Sequence, residues 1–296
     1  MCRWIVYDGG PILLEDLLFK PKHSLFDQSM SSKSAETPTN GDGFGVGWYG
    51  ARATPGLYRS IRPAWNDFNL RDLAAQVESR LFMAHVRATS MATVQETNCH
   101  PFRHNNWLFV HNGEIFGIEK FRKRLIEAVA DELFTGILGT TDSEVMFYLC
   151  LTFGLERDPE GALVRMAGFV EKVARAHGID ETLWMTLGLT DGETVYAVRY
   201  ASDGKAPTLY YTRDVEDIYR VNPELTGKFA PTTRLVASEP TGRARESWLE
   251  VPQSSYLRIR GGEMEVKPFK PIAPDGGSST LAGSGVELLQ ALRKVP

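Results

Sequence analysis

The chain opens on an unbroken apolar run. Arg3-Trp4-Ile5-Val6-Tyr7 is rich in β-branched and aromatic residues, and Asp8-Gly9-Gly10-Pro11 follows it. That pattern predicts a buried strand over 3–7 closed by a turn. A short helix is expected over 13–19, and the polar stretch 27–43 reads as a loop. Phe44-Gly45-Val46-Gly47-Trp48-Tyr49 then interleaves apolar residues with glycine, as in a strand that another backbone or a ligand approaches closely. A helix over 67–79 precedes a strand, Leu81-Phe82-Met83-Ala84-His85-Val86, that ends on Arg87. Residues 88–106 have no period. Strand texture returns over 107–111, and Asn112-Gly113 after it predicts a hairpin turn. Helices follow: 118–130 with Phe121, Leu125, Ile126 and Val129 on one side, one begun at Thr140-Thr141-Asp142-Ser143-Glu144 with Val145, Met146, Leu149 and Cys150 facing inward, and 159–177. From 183 onward the texture is β, with strands expected over 183–189, 194–200, 208–212, 235–238 and 254–260. Asp191-Gly192 and Gly261-Gly262 mark hairpins among them.

Strands, then helices, then strands is not a βαβα alternation. The order predicts an α+β fold of mainly antiparallel sheets with segregated helices. A single domain over 2–270 is expected. Residues 271–296 form a tail rich in Pro, Gly and Ser over 271–285, with a short helix over 286–293.

Composition narrows the function by exclusion. The chain has 296 residues, of which 43% are hydrophobic, enough for one large domain or two small ones. A formal net charge of -4 with no basic run argues against a nucleic-acid partner. No apolar run reaches the roughly 18 residues of a membrane span. The N-terminus has no signal-peptide pattern, so a mature chain beginning at Cys2 is expected from loss of Met1 alone. The three cysteines, Cys2, Cys99 and Cys150, lack Cys-x-x-Cys spacing, which favours reduced thiols in the cytosol over zinc or a redox pair. His85, His100 and His111 are not spaced as metal ligands. The glycines at 41–47 are followed by a strand and not a helix, unlike a dinucleotide loop. No metal, nucleotide or redox cofactor is therefore expected.

The candidate chemistry begins at Met1-Cys2. Loss of Met1 leaves a thiol and a free α-amine on one residue, with ordinary pKa values of about 8.5 and about 7.7. An amine partly neutral near pH 7 can take the thiol's proton, so one residue supplies nucleophile and base. The alternative is a cysteine that merely starts a buried strand. Other candidates carry equally plain readings. Arg87 is a strand-end arginine, Asn112-Gly113 a turn, and Asp142 a helix N-cap. Cys99 neighbours His100, but adjacent residues cannot easily face each other, so it reads as structural.

Taken together, these segments resemble the class II glutamine amidotransferase domain, an N-terminal-nucleophile hydrolase. The matching residues are Met1-Cys2-Arg3, Asp42-Gly43-Phe44-Gly45, Ala84-His85-Val86-Arg87, Asn98-Cys99-His100-Pro101-Phe102, Val110-His111-Asn112-Gly113-Glu114 and Thr141-Asp142-Ser143-Glu144, in family order. The likeness is tight over 1–150 and looser to about 270. It is greatest to stand-alone members such as the γ-glutamyl amidohydrolase of ergothioneine biosynthesis. The resemblance implies a four-layer αββα sandwich and cleavage of a γ-glutamyl amide through a Cys2 thioester. It also implies an oxyanion hole of Asn112 and Gly113, with Arg87 on the substrate's α-carboxylate and Asp142 on its α-ammonium. Two departures stand out. Ala88 follows Arg87 where the biosynthetic synthases commonly have Trp, so the resemblance does not define the pocket's shape. The sugar-isomerase, phosphoribosyltransferase and synthetase halves are absent, so any ammonia would pass to a separate synthase subunit. The further alternative is a non-catalytic amino-acid-binding module.

Overall fold

Alternation decides the architecture. In the first strand Trp4 and Val6 point to one side and Ile5 and Tyr7 to the other, and all four are buried. A strand buried on both faces lies between two layers. The computed structural model describes residues 2–30, 39–88, 93–242 and 245–274; the expected tail lies almost wholly outside them. In chain order its strands are β1 (Arg3–Leu13), β2 (Phe44–Trp48), β3 (Gly56–Ser60), β4 (Glu78–Val86), β5 (Phe102–His104), β6 (Trp107–Ile115) and β7 (Leu183–Thr190). They continue as β8 (Thr194–Ala201), β9 (Tyr210–Tyr211), β10 (Arg234–Ala237), β11 (Leu249–Glu250), β12 (Ser255–Arg260) and β13 (Glu263–Pro268). A seven-stranded sheet runs β11-β9-β10-β1-β4-β2-β3 and a six-stranded sheet β13-β12-β8-β7-β6-β5. The pairings among the described residues are antiparallel.

The helices are α1 (Glu15–Leu18), α2 (Leu25–Met30), α3 (Phe68–Ala74), α4 (Arg122–Glu127), α5 (Asp131–Phe134), α6 (Asp142–Thr152), α7 (Pro159–Ala176) and α8 (Val215–Val221). Three apolar clusters mark the contacts between layers. Ile5, Tyr7 and Phe82 of the first sheet pack with Leu17, Leu70 and Ile218 of α1, α3 and α8. Trp4, Val6 and Met83 meet Leu108, Val110 and Leu257 of the second sheet. On that sheet's other face Phe109 and Leu187 pack with Phe147, Leu163 and Val170 of α6 and α7. This is an α+β fold, two antiparallel sheets face to face with helices outside both: the αββα arrangement.

Several elements differ from their sequence-based expectation. Asp8-Gly9-Gly10-Pro11 does not end β1; the strand runs to Leu13 through a register shift between Asp8 and Ile12. Part of the 27–43 stretch belongs to α2, whose start was signalled by Ser24 and Asp27: the Asp27 N–H donates to Ser24 Oγ at 3.1 Å and the Ser24 N–H to Asp27 Oδ2 at 3.3 Å. The 118–130 helix is broken into a 3-10 turn at Ile118–Lys120, then α4. Every residue of α6 from Ser143 to Leu151 is buried, so its apolar side is the whole circumference. Asn112-Gly113 makes no turn, because β6 continues through it and pairs with β7 as far as Ile115↔Leu183.

Candidate active site

Cys2 stands just before β1. The pairings Arg3↔Val86 and Trp4↔His85 continue to place it beside Arg87, at the end of β4. Alternation carries both onto the inter-sheet face, Cys2 in step with Trp4 and Val6, Arg87 in step with Leu81 and Met83. The Cys2 thiol donates to the Ala88 carbonyl at 3.4 Å. Arg3 folds back so that Nη1 donates to the Cys2 carbonyl at 2.9 Å while Nη2 pairs with Glu239 at 2.6 Å. The backbone of the second residue is thus held by a side chain that is itself buried.

Arg87 continues the sheet beyond β4. Its N–H donates to the Gly43 carbonyl at 2.8 Å, and the Asp42 N–H to its carbonyl at 3.1 Å. The guanidinium, only 3% exposed, donates to the carbonyls of Asp42 at 3.4 Å and Thr93 at 3.3 Å. Asn98 fixes the same loop to the start of α6: its Nδ2 donates to Thr93 O at 2.8 Å and Thr140 Oγ1 at 2.9 Å, and its Oδ1 accepts from Thr140 N at 2.7 Å. The glycines of the 43–47 run also turn toward the other sheet. A Cβ on Gly45 would stand 2.2 Å from the His100 carbonyl and one on Gly47 2.8 Å from Leu108. The close approach expected there is by this chain's own backbone and core.

The second sheet contributes through β6. Asn112 alternates with Leu108 and Val110 and so faces between the sheets. Its carbonyl accepts from Thr186 Oγ1 of β7 at 3.5 Å. In a planar trans peptide the N–H opposes the C=O, so the N–H of Gly113 points away from Thr186, toward the outer edge of β6. That edge is occupied at each neighbouring position. β5 pairs it up to Phe109. His85 Nε2 lies 3.2 Å from the His111 carbonyl. The Ile115 N–H donates to Asp142 Oδ2 at 2.9 Å. Gly113 lies between these two clamps with φ +153°, and an added Cβ would come within 1.8 Å of the Trp184 carbonyl.

Asp142 is not the helix cap expected of it. Thr141 is the cap, its Oγ1 accepting from Glu144 N at 3.1 Å. Asp142 occupies the first helical position, its carboxylate oriented by the Ile115 N–H and by the N–H and hydroxyl of Ser143 at 2.7 and 3.2 Å. One end of the sandwich therefore gathers Cys2 and Arg87 from the first sheet, Asn112 and Gly113 from the second, and Asp142 from α6. The clamps by Asn98, His85 and Arg3 were not assigned from sequence, although all three lie inside the matching motifs.

Burial raises the Cys2 thiol pKa, opposed by the Ala88 carbonyl, Arg87 and Arg3. Such a thiol needs a base beside it to ionise. Burial holds His85 down to about 3, and lowers His100 and His111 as well. A neutral His85 that meets a carbonyl through Nε2 carries its proton there. His111 Nδ1 lies 2.8 Å from Ser143 Oγ and the His100 ring stacks on His85 with centroids 4.2 Å apart, while the thiol's own hydrogen bond runs to the Ala88 carbonyl. Cys99 is buried, in reach of the Ser60 and Gln95 carbonyls, and pushed up to about 11, as a structural thiol is. Among the described residues no group of His, Cys, Asp and Glu could hold a metal ion, and no helix is long and apolar enough to cross a membrane.

Residues 21–274 match the family described as class-II glutamine amidotransferases. The chain is 32% identical to the Saccharomyces cerevisiae protein named "Probable glutamine amidotransferase DUG3", over 91% of this chain and 84% of that one. It is 27% identical to the γ-glutamyl-hercynylcysteine sulfoxide hydrolase of Mycolicibacterium smegmatis, over 69% of this chain and 85% of the relative. A solved glutamine aminotransferase class-II domain protein from Silicibacter pomeroyi superposes with a TM-score of 0.68 at 36% identity, covering 91% of this chain and all of the other. The phosphoribosylpyrophosphate amidotransferase of Bacillus subtilis shares the fold at 13% identity and a TM-score of 0.59; 92% of this chain covers half of it. The chain thus belongs to the class II glutamine amidotransferases, enzymes acting on γ-glutamyl amide bonds.

Proposed function

We propose that Cys2, freed by removal of Met1, is the nucleophile of a γ-glutamyl amidohydrolase and that its own α-amine is the base. The observation that carries this reading is the shared orientation of Cys2, Arg87 and Asn112 into one end of the inter-sheet space, with Gly113 and Asp142 on the adjoining strand and helix. The thiol proton passes to the amine as sulfur attacks the γ-carbonyl carbon. Charge collects on the carbonyl oxygen, where the Asn112 side-chain amide and the Gly113 N–H donate to it; each such donor is worth roughly 3–4 kcal/mol. The C–N bond then breaks, and the departing amine takes the proton back from the α-ammonium. Water, activated by the same amine, cleaves the Cys2 thioester and releases glutamate. Arg87 grips the α-carboxylate with its planar fork, and Asp142 the α-ammonium, so that the γ-carbonyl is placed at the thiol.

The reading treats 2–270 as one domain working in a reducing compartment such as the cytosol. The same acyl-enzyme would serve a glutaminase subunit feeding ammonia to a separate synthase. The isolated chain decides between these. It is expected to carry Cys2 as its first residue by mass spectrometry and to release amine from γ-glutamyl amides with no partner added. Cys2→Ala should fold and release none, and Cys99→Ala should retain most of the activity. Activity kept by Cys2→Ala and lost by Cys99→Ala would overturn the assignment. A wild-type chain that binds γ-glutamyl compounds without cleaving them would be a binding module.

A further inference from the structure

Trp4 is flanked within its own sheet by His85 and Ser238, and across the inter-sheet space its indole meets one polar group of the second sheet. Trp4 Nε1 donates to Thr186 Oγ1 at 3.3 Å, and that hydroxyl donates to the Asn112 carbonyl at 3.5 Å. Trp4 and Thr186 are both wholly buried. Gly188 lies two residues along β7 on the same face, and a Cβ there would stand 3.1 Å from the Trp4 ring. The groove over Gly188 therefore seats the indole, and its N–H is delivered to Thr186. Valine has nearly the shape of threonine and would fill this space as well, so packing alone does not call for a hydroxyl. What the hydroxyl adds is a link between two particular groups. Trp4 is two residues from the thiol on β1. The Asn112 carbonyl belongs to the peptide whose N–H is that of Gly113.

We infer that Trp4 and Thr186 are positioning residues that fix and polarise the Asn112–Gly113 peptide from the nucleophile's own strand. The inference rests on the proposed oxyanion role of Gly113. A hydrogen bond accepted by a peptide carbonyl makes the N–H of the same peptide a better donor, and chained bonds reinforce one another. The donor is thereby strengthened and held at a fixed distance from β1. Neither residue touches substrate, so the effect should fall on the step that builds charge on the carbonyl oxygen and spare binding.

The test compares two reactions of Cys2 in Thr186→Val and Trp4→Phe. Alkylation by iodoacetamide needs the thiol and its base but creates no oxyanion; hydrolysis of a γ-glutamyl amide needs all three. Thr186→Val is expected to lower kcat about tenfold with KM within about twofold, while the alkylation rate stays near that of the wild type and Tm falls by several degrees as the buried indole N–H loses its acceptor. Thr186→Ser should restore most of kcat. Trp4→Phe removes the indole N–H while keeping a ring over Gly188, and should lower kcat less, with no further loss when combined with Thr186→Val. Unchanged kcat in Thr186→Val, or equal losses of hydrolysis and alkylation, would overturn the inference. If Thr186→Val fails to fold, Trp4→Phe alone decides by the same ratio. An inert Cys2 in the wild type, by contrast, would sink the underlying assignment of nucleophile and leave no hydrolysis to compare.

Discussion

Asn112-Gly113 and Gly261-Gly262 are written in the same turn chemistry, and the chain uses them in opposite ways. Gly261 and Gly262, at φ +58° and +82°, turn β12 directly into β13, with Arg260 paired to Glu263. This is the two-residue hairpin in which both central residues need positive φ. Asn112 and Gly113 lie inside a strand that stays paired with β7 on both sides of them. Their surroundings make the difference. Beyond Gly262 the strand is half exposed and lies at a sheet edge. Beyond Gly113 comes Ile115, fully buried, with its N–H held by Asp142. A turn at 112–113 would pull Ile115 out of the core and leave that carboxylate without its donor. The glycine serves close approach in one place and backbone direction in the other.

The widest separation between the two is expected on adding a methyl group. Gly113→Ala places Cβ within 1.8 Å of the Trp184 carbonyl and 2.7 Å of His111 Nε2, and neither neighbour can withdraw without moving β7 or the clamp on His111. Hydrolysis should fall below detection and Tm should drop. Gly261→Ala meets nothing within 4 Å. It should cost about 1–2 kcal/mol for a left-handed alanine and leave kcat and KM alone. Asn112→Ala separates the amide from the backbone: it should cost kcat about a hundredfold or more while Tm moves little. Equal kinetic parameters for Gly113→Ala and Gly261→Ala would show that Asn112-Gly113 is only another turn.

The architecture was legible to the extent that alternation could be read. The strands at 183–189, 194–200 and 254–260, the helix over 159–177 and the strand texture at 81–86 came from period and β-branching, and tertiary contacts did not override them, whereas α8 and β13 were not read from the sequence. Element ends were less visible. Gly9, Gly10, Asn112 and Gly113 are local signals for a turn, and whether each becomes one depends on distant partners: β10 and β4 for β1, β7 and Asp142 for β6. The candidate site residues were chosen through the family motifs alone, because Arg87, Asn112 and Asp142 each have an ordinary local reading. The supporting clamps had no separate signal. His85, Asn98 and Thr186 act on carbonyls and hydroxyls 26, 42 and 74 positions away, a distance no local pattern encodes.

A smaller effect sharpens the comparison on the far side of Gly113. Asp142 and Thr141 are adjacent, and the plain reading of the sequence gives the cap to Asp142. Because Thr141 caps α6, Asp142→Asn should leave Tm within a degree or two and still lower kcat/KM for γ-glutamyl substrates about tenfold, equivalent to roughly 1.4 kcal/mol. Substrates lacking the α-amine should lose much less. Thr141→Ala should do the reverse, costing about 1 kcal/mol of stability with kcat/KM nearly intact. If Asp142→Asn lowered Tm and weakened both substrate types alike, its role would be to hold Ile115 and β6, and the head-group contact would be gone from the argument.

The smallest difference is expected on acidification. The strand carrying Asn112 is held by His85, which donates one residue earlier and which burial keeps neutral down to about 3 against an ordinary 6.5. His100 and His111 are shifted the same way by the same cause. As pH falls through 6.5 the unfolded chain takes up protons at these rings and the folded chain does not. The stabilisation from His85 is therefore complete above about 6.5 and is lost progressively toward 3, by up to about 1.4 kcal/mol per pH unit, and His100 and His111 add losses of the same sign. Asp8, pushed up to about 6 by burial, works in the opposite sense as pH falls, and offsets part of the loss. Between pH 7 and 5.5 Tm should still drop by several degrees, since about 1 kcal/mol moves a chain of this size by roughly 2–4 °C. His85→Gln keeps a donor near the His111 carbonyl and removes one titrating group, so its Tm should be lower at pH 7 but less sensitive to acid. Gly261→Ala adds and removes no titrating group and should shift Tm by the same amount at both pH values. A pH slope for His85→Gln equal to that of the wild type would mean that the acid sensitivity lies elsewhere and that the clamp on β6 is not part of it.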